Sequence, residues 1–279
     1  MGIEICPLTG VIGAEIHGVD LSQPLPPDTR DAIQQALLDH LVIFFRGQQL
    51  SDEQHRDFAA AFGPLEPFVL APPANPDVPE MHVLAFDNGP AALGSHVDTW
   101  HTDGTFMERP PLGTVLRAVE LPPYGGDTCW ANMYAAYDSL SPWLQAALLP
   151  MTAVHDFAKI TYTTFDDAAD PAAELQRVRD TYPLMRHPVV RTHPVTGRKL
   201  LYLHRNYTIR IEGMSERENE IMLPFLFDHV RDPLFQCRFR WEPGSVAFWD
   251  NRATQHYGVP DYPGRRVMHR VVIQGDRPS

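Results

Sequence analysis

The sequence predicts a mainly β fold with flanking helices: a sandwich or barrel core for which the jelly roll is the best match. Three observations lead there. Strand-like runs dominate the last third of the chain, with FQCRFRW at 235–241, SVAFWD at 245–250 after a Pro-Gly turn, and RRVMHRVVI at 265–273. Helical patterns are interspersed earlier and carry clear start signals. A length of 279 residues with 44% hydrophobic content suffices for one sizeable core, so one domain over 1–279 is expected.

The elements follow in order. Over 28–40, Ile33, Ala36, Leu37 and His40 recur at helical spacing. LVIFFRG at 41–47 is a buried-strand run bounded by glycine. Ser51, with Gln54 three residues on, reads as a capping box opening a helix that runs to about Phe62 and stops at Gly63-Pro64. Ser141-Pro142 reads as an N-cap followed by proline at the first helical position. Ser215 and Glu218 form a second capping box, opening a helix to about Val230. The 27 prolines are spread throughout the chain, with clusters around 64–79 and 109–123, which reads as loops between short elements. The stretches 64–79 and 157–182 are lid candidates, because long loops near a site commonly gate it.

A net charge of -12 and a pI near 5.5 weigh against nucleic acid or an anionic membrane as partner. They leave room for a small anionic substrate, since a few arginines in one pocket suffice. Cys6, Cys129 and Cys237 are odd in number and widely spaced, with no CxxC, so neither a disulfide framework nor a zinc knuckle is expected. A reducing compartment fits that usage. The N-terminus has no basic stretch followed by a long apolar run, and no apolar run reaches membrane-spanning length. A soluble, cytoplasmic protein is the expectation.

The chemistry centres on WHTDGTF at 100–106. In a strand, His101 and Asp103 would point to one face and grip a metal from adjacent directions. A third ligand from a distant strand would complete two histidines and a carboxylate, leaving open positions on the metal as expected for oxygen activation by iron(II). The motif alone is not decisive, because His-x-Asp occurs three times, at His55/Asp57, His96/Asp98 and His101/Asp103. His55/Asp57 falls in a predicted helix and reads as a solvated face; His96/Asp98 reads as a surface loop. His101/Asp103 lies between Trp100 and Phe106, a more core-like setting. His256, in FWDNRATQHYGVPDY, is the distal candidate, although one of 13 histidines standing alone reads as a core histidine. Arg266 and Arg270 add weight. They share a strand face, and inward guanidinium groups call for an anion, either a ligand or a structural carboxylate.

The ordered blocks GVIGAEIHGVDL, LVIFFRGQQLS, WHTDGTF, GGDTCWANMYAAYDSLS, HPVVRTHPVTGRK, FWDNRATQHYGVPDY and RRVMHRVVIQGDRP resemble the taurine dioxygenase/2,4-D dioxygenase family. The resemblance covers most of the chain. It implies a double-stranded β-helix, a jelly-roll variant, and an Fe(II)- and 2-oxoglutarate-dependent dioxygenase using O2. It implies His101, Asp103 and His256 as metal ligands, Thr128 and Arg266 as partners of the far carboxylate of 2-oxoglutarate, and Arg270 as the substrate's anion anchor. The implied substrate is taurine or a related alkyl sulfonate, hydroxylated next to the anion with release of sulfite alongside succinate and CO2. The implied assembly is a homo-oligomer, a dimer or tetramer.

The departures concern the substrate. A histidine of the taurine-specific pattern aligns with Phe68, an asparagine with Val97, an aromatic with Thr161 and a phenylalanine with Tyr207. With Phe106, residues Phe68, Val97 and Tyr207 form the expected substrate wall. An alkyl sulfate ester or an aryloxyalkanoate is the alternative substrate within the family. A jelly-roll metal- or anion-binding protein is the non-enzymatic alternative, weakened by the absence of a fourth ligand. Asp103 argues against a halogenase, which usually lacks that carboxylate.

Overall fold

In the computed structural model, residues 2–66, 75–87, 99–160 and 170–279 are described. The main sheet joins β1 (Glu4–Pro7), β2 (Ala14–His17), β3 (Val42–Phe45), β4 (His82–Asp87), β5 (Gly113–Glu120), β13 (Val246–Asp250) and β15 (Arg265–Ile273). Their order is β1-β2-β3-β13-β5-β15-β4, antiparallel except for the parallel β2–β3 pair. Facing it are β6 (Thr128–Asn132), β12 (Gln236–Phe239) and β14 (Thr254–Gly258), in the order β12-β6-β14. Smaller sheets join β7 (Thr152–His155), β8 (Met185–Pro188) and β11 (Thr208–Ile211), and pair β9 (Val190–Thr192) with β10 (Lys199–Leu201). Strands in two layers with helices outside make the jelly roll that the pattern predicts.

The central strands VIFF and VAFWD are buried at every position because the main sheet is covered on both faces. Successive side chains alternate between those faces. Ile43, Phe45 and Phe248 pack with Ile33, Leu37 and Phe58 from α1 (Pro27–His40) and α2 (Asp52–Ala60). Val42, Phe44 and Trp249 turn the other way, against Trp130 and Phe239 of the second layer. Phe44 stacks on Phe239 with ring centroids 3.9 Å apart.

The helix signals match closely. Ser51 and Ser215 each make both bonds of a capping box, opening α2 and α6 (Glu216–His229). Ser141 caps α4 (Pro142–Leu148), which follows α3 (Met133–Asp138). Of the α1 positions, Ile33, Ala36 and Leu37 are buried and His40 is half-exposed. The three cysteines are unpaired. Among the described residues no helix is long and apolar enough to cross a membrane.

Five expectations need correction. His55 is not on a solvated face: it is fully buried, and its Nε2 lies 3.2 Å from the Val115 carbonyl, because that side of α2 lies on the sheet. Asp103 is in a turn, not a strand; only His101 makes a β-bridge. The Pro-rich stretch 109–123 is not loop throughout, because it contains β5. The runs 235–241 and 245–250 fall in different sheets, since β12 pairs with β6 whereas β13 pairs with β3 and β5. The Pro-Gly turn, with Gly244 at φ 76, carries the chain between layers. The stretch 157–182 is not loop throughout, because it contains a 3-10 turn at Phe157–Ile160 and α5 (Pro171–Thr181). The rest of that stretch over 161–169, and residues 67–74 of the other lid candidate, lie outside the described residues.

Candidate active site

Two chain segments meet at the mouth of the second layer. β14 carries His256, and His101 pairs with it on the edge away from β6. His101 N–H donates to the His256 carbonyl at 3.0 Å, and His256 N–H donates back at 2.8 Å. That exchange sets the two imidazole rings side by side, centroids 4.3 Å apart. Asp103 reaches back from the following turn. Its Oδ1 lies 3.7 Å from His101 Nε2 and 4.0 Å from His256 Nε2. Among the described residues this is the one group of three such side chains whose ligand atoms lie within 4.8 Å of one another.

The protonation states suit a divalent cation, which needs neutral imidazoles and an ionised carboxylate. Burial pushes His256 down to about 3 and also lowers His101, against a smaller opposing pull from Asp103. Burial alone would raise the Asp103 carboxyl, but Arg270 and the two histidines outweigh it and hold it at about 2. His101 Nδ1–H donates to the Thr99 carbonyl at 2.7 Å, which fixes the tautomer and leaves the Nε2 lone pair facing Asp103. Two nitrogens and one oxygen, with no fourth protein donor in the group, fit iron(II) with open positions.

His101 and His256 open onto a cleft lined also by Leu84, Phe86, Thr128, Tyr262, Arg266 and Arg270. Arg266 is buried and forms no ion pair among the described residues. Its Nη2 is 3.5 Å from Thr128 Oγ1, its Nε has no hydrogen-bond partner among the described residues, and burial lowers its pKa to about 10. Trp241 Nε1–H donates to the same Thr128 oxygen at 3.0 Å, so the Thr128 hydroxyl proton is free to be offered elsewhere. A buried guanidinium beside a directed hydroxyl has the donor set that can hold a carboxylate. Gly126 keeps that space open. It sits at φ 71, and a Cβ there would stand 3.1 Å from Arg266 Cδ.

Comparison with known proteins agrees with this geometry. Residues 4–272 match the family described as Taurine catabolism dioxygenase TauD, TfdA family. The chain belongs to that family. An alpha-ketoglutarate-dependent sulfate ester dioxygenase of Pseudomonas putida is 40% identical over 286 residues, covering 99% of this chain and 91% of that protein. An alkylsulfatase of Acinetobacter baylyi is 36% identical, covering 98% and 86%. The crystal structure of a taurine dioxygenase from Burkholderia xenovorans superposes with a TM-score of 0.84 at 37% identity, covering 99% and 90%. Membership makes the chain an oxidoreductase of the Fe(II)- and 2-oxoglutarate-dependent dioxygenases, with O2 as cosubstrate.

The remaining predicted residues of this TauD/TfdA dioxygenase divide into three groups. Arg270 faces the cluster but is not free, because its Nη1 is 3.3 Å from Asp103 Oδ1 and its Nη2–H donates to His82 Nδ1 at 3.2 Å. Phe106 and Tyr207 are buried together with Phe157, ring centroids 5.1 Å apart for the first pair, and are not among the residues lining the cleft. Phe68, Val97 and Thr161 lie outside the described residues, as do His96 and Asp98.

Sequence reasoning missed the groups behind the Asp103 turn. Thr105 Oγ1 sits between His155 Nδ1 at 3.0 Å and His204 Nε2 at 2.7 Å, all buried. His187 Nε2 lies 2.9 Å from the Thr105 carbonyl. Asn251 was visible in the FWDNRATQHY block, yet an asparagine between strands reads as turn chemistry.

Proposed function

We propose that this dioxygenase oxidises a small organic anion, an alkyl sulfonate or alkyl sulfate ester, at the carbon next to the anionic group. His101, Asp103 and His256 hold Fe(II); Thr128 and Arg266 hold the far carboxylate of 2-oxoglutarate; Arg270 takes the substrate's anion. The bound metal supplies oxygen activation coupled to conversion of 2-oxoglutarate to succinate and CO2. The protein's own contribution is positioning. Trp241 orients Thr128 so that its hydroxyl joins Arg266 in a charge-assisted grip.

One observation carries the substrate class: the Arg270 guanidinium reaches to 3.3 Å from Asp103. An anion seated on Arg270 therefore stands next to the metal ligands, and the carbon beside it becomes the nearest target. Hydroxylation there leaves a carbon bearing both a hydroxyl and the anionic group. It collapses to an aldehyde, with sulfite leaving from a sulfonate or sulfate from a sulfate ester. The relatives named for sulfate esters and alkylsulfatase activity favour the ester, while the taurine-type blocks favour the sulfonate.

The test is a panel of an alkyl sulfonate, an alkyl sulfate of equal chain length, taurine and a phenoxyacetate. Succinate, sulfite, sulfate and phenol are measured with Fe(II) and 2-oxoglutarate. Anion-stimulated succinate formation with sulfite or sulfate is expected; release of phenol alone would move the assignment to aryloxyalkanoates. His101→Ala should stay folded and lose iron-dependent turnover, and wild-type succinate production from it would remove His101 from the ligand set. A homo-oligomer, dimer or tetramer, is part of the same reading, supported by the apolar side chains of Ile221, Phe225 and Leu234 on the surface. A monomer mass by light scattering would overturn that part.

A further inference from the structure

Asn251 is the first residue after β13, and its side chain is spent entirely on another segment. Its Oδ1 accepts the Asp103 N–H at 3.0 Å. Its Nδ2 donates to the Asp103 carbonyl at 3.0 Å and to the Pro111 carbonyl at 3.2 Å. Its own backbone N–H donates to the Leu112 carbonyl at 2.9 Å. Both amide donors and the amide oxygen are used, and the residue is fully buried. None of these bonds serves the β13–β14 turn in which Asn251 sits. That turn is closed by Asp250, whose carboxylate accepts the Arg252 N–H at 2.9 Å and whose carbonyl accepts Thr254 Oγ1–H at 2.8 Å.

Asp103 needs such a partner because it lies just past the end of the β-bridge at His101. In a strand, its N–H and carbonyl would be paired by the ladder, and its side-chain direction would follow from the pleat. Here a single amide pairs both groups in place of a neighbouring strand. The contacts to the carboxylate itself are longer, 3.3 Å from Thr114 Oγ1 and 3.3 Å from Arg270 Nη1. Asn251 also precedes His256 by five residues on the same turn and strand. The clamp therefore joins the segment bearing Asp103 to the one bearing His256, alongside the two backbone bonds joining His101 to His256.

We infer that Asn251 is a positioning residue that sets the Asp103 carboxylate against the two histidines before any metal arrives. The inference rests on the ligand set proposed above. Asn251→Ala leaves the Asp103 N–H and two carbonyls buried without partners. Asn251→Asp keeps the shape and the acceptor but loses the donor, turning an oxygen toward two carbonyl oxygens.

The probe is Co(II) added to metal-free protein, read by titration and by its visible absorption bands, with unfolding in EDTA measured on the same samples. Both Asn251 variants should bind Co(II) about 10- to 100-fold more weakly, the effect usual for losing a group that orients a ligand, with altered bands. Asn219→Ala is the control. It breaks an equally dense amide network at the start of α6, where Asn219 bonds the Ile211 N–H and the Ile211, Met214 and Ser215 carbonyls. It should lose thermal stability and bind Co(II) as the wild type does. Wild-type affinity and bands in Asn251→Asp, with His256→Ala clearly impaired, overturn the clamp alone. Wild-type affinity in His256→Ala overturns the ligand set beneath it.

Discussion

Replacing Arg266 by methionine separates binding from folding, because the two effects should have opposite signs. Burial holds the Arg266 guanidinium at a pKa of about 10 against an ordinary 12.5. At roughly 1.4 kcal/mol per pKa unit that difference is about 3 kcal/mol, the order of the cost of keeping this charge buried without a carboxylate. A bound 2-oxoglutarate carboxylate offsets that cost through charge-assisted hydrogen bonds. Losing an interaction of that size raises the 2-oxoglutarate requirement on the order of 10²-fold. The metal-free, ligand-free protein, by contrast, sheds an uncompensated charge and keeps an unbranched apolar stem in its place, so its stability should hold or rise. The assays are succinate formation against 2-oxoglutarate concentration and thermal unfolding with and without 2-oxoglutarate. Wild type should be stabilised by the ligand and the variant should not, at equal concentrations. An unchanged requirement, or a lower melting temperature in the unliganded variant with normal 2-oxoglutarate dependence, would mean that Arg266 is structural.

Three further expectations follow from the same geometry. Arg270→Ala should weaken the primary substrate at least about tenfold, by loss of a charge-assisted pair, while sparing substrate-free succinate formation; equal loss of both activities contradicts the division between the two arginines. Gly126→Ala forces a side chain into φ 71 and against Arg266 and Tyr262. It should cost about 1–2 kcal/mol of stability and raise the 2-oxoglutarate requirement, whereas Gly197→Ala, at φ 69 in open space, should affect stability only. Finally, burial lowers His55 and His82 to about 3 and His187 to about 4. Their folded pKa values lie below the unfolded 6.5, so below that pH the unfolded chain takes up protons that the folded chain refuses. Stability should be fully present above about pH 6.5 and fall toward pH 4 by up to roughly 1.4 kcal/mol per pH unit for each histidine. Thermal melts of the metal-free protein between those limits check it, and a flat melting temperature rejects it.

What the chain declares locally was legible. The capping boxes at Ser51 and Ser215, the strand over 265–273 and the shared face of Arg266 and Arg270 all depend on residues a few positions apart. Periodicity and hydrogen-bonding capacity carry that information directly. The ordered sequence blocks also singled out His101, Asp103 and His256, which the fold brings to one point.

Other features depend on partners that no local pattern names. A helix pattern states which residues share a side of α2 but not which side meets the sheet, so His55 was misread as solvated. Strand patterns at 235–241 and 245–250 do not say that a left-handed glycine between them sends each to a different layer. Asp103 was expected to owe its direction to a strand; it owes it to an asparagine 148 positions away. Arg270 was read as awaiting an anion, and it meets Asp103 across 167 positions. By itself the sequence determined the elements and the chemical types available for a metal centre. The tertiary structure alone decided which backbone groups those side chains satisfy and which charges are left without a partner, because buried polar groups take whichever neighbours the packed layers bring within hydrogen-bond reach.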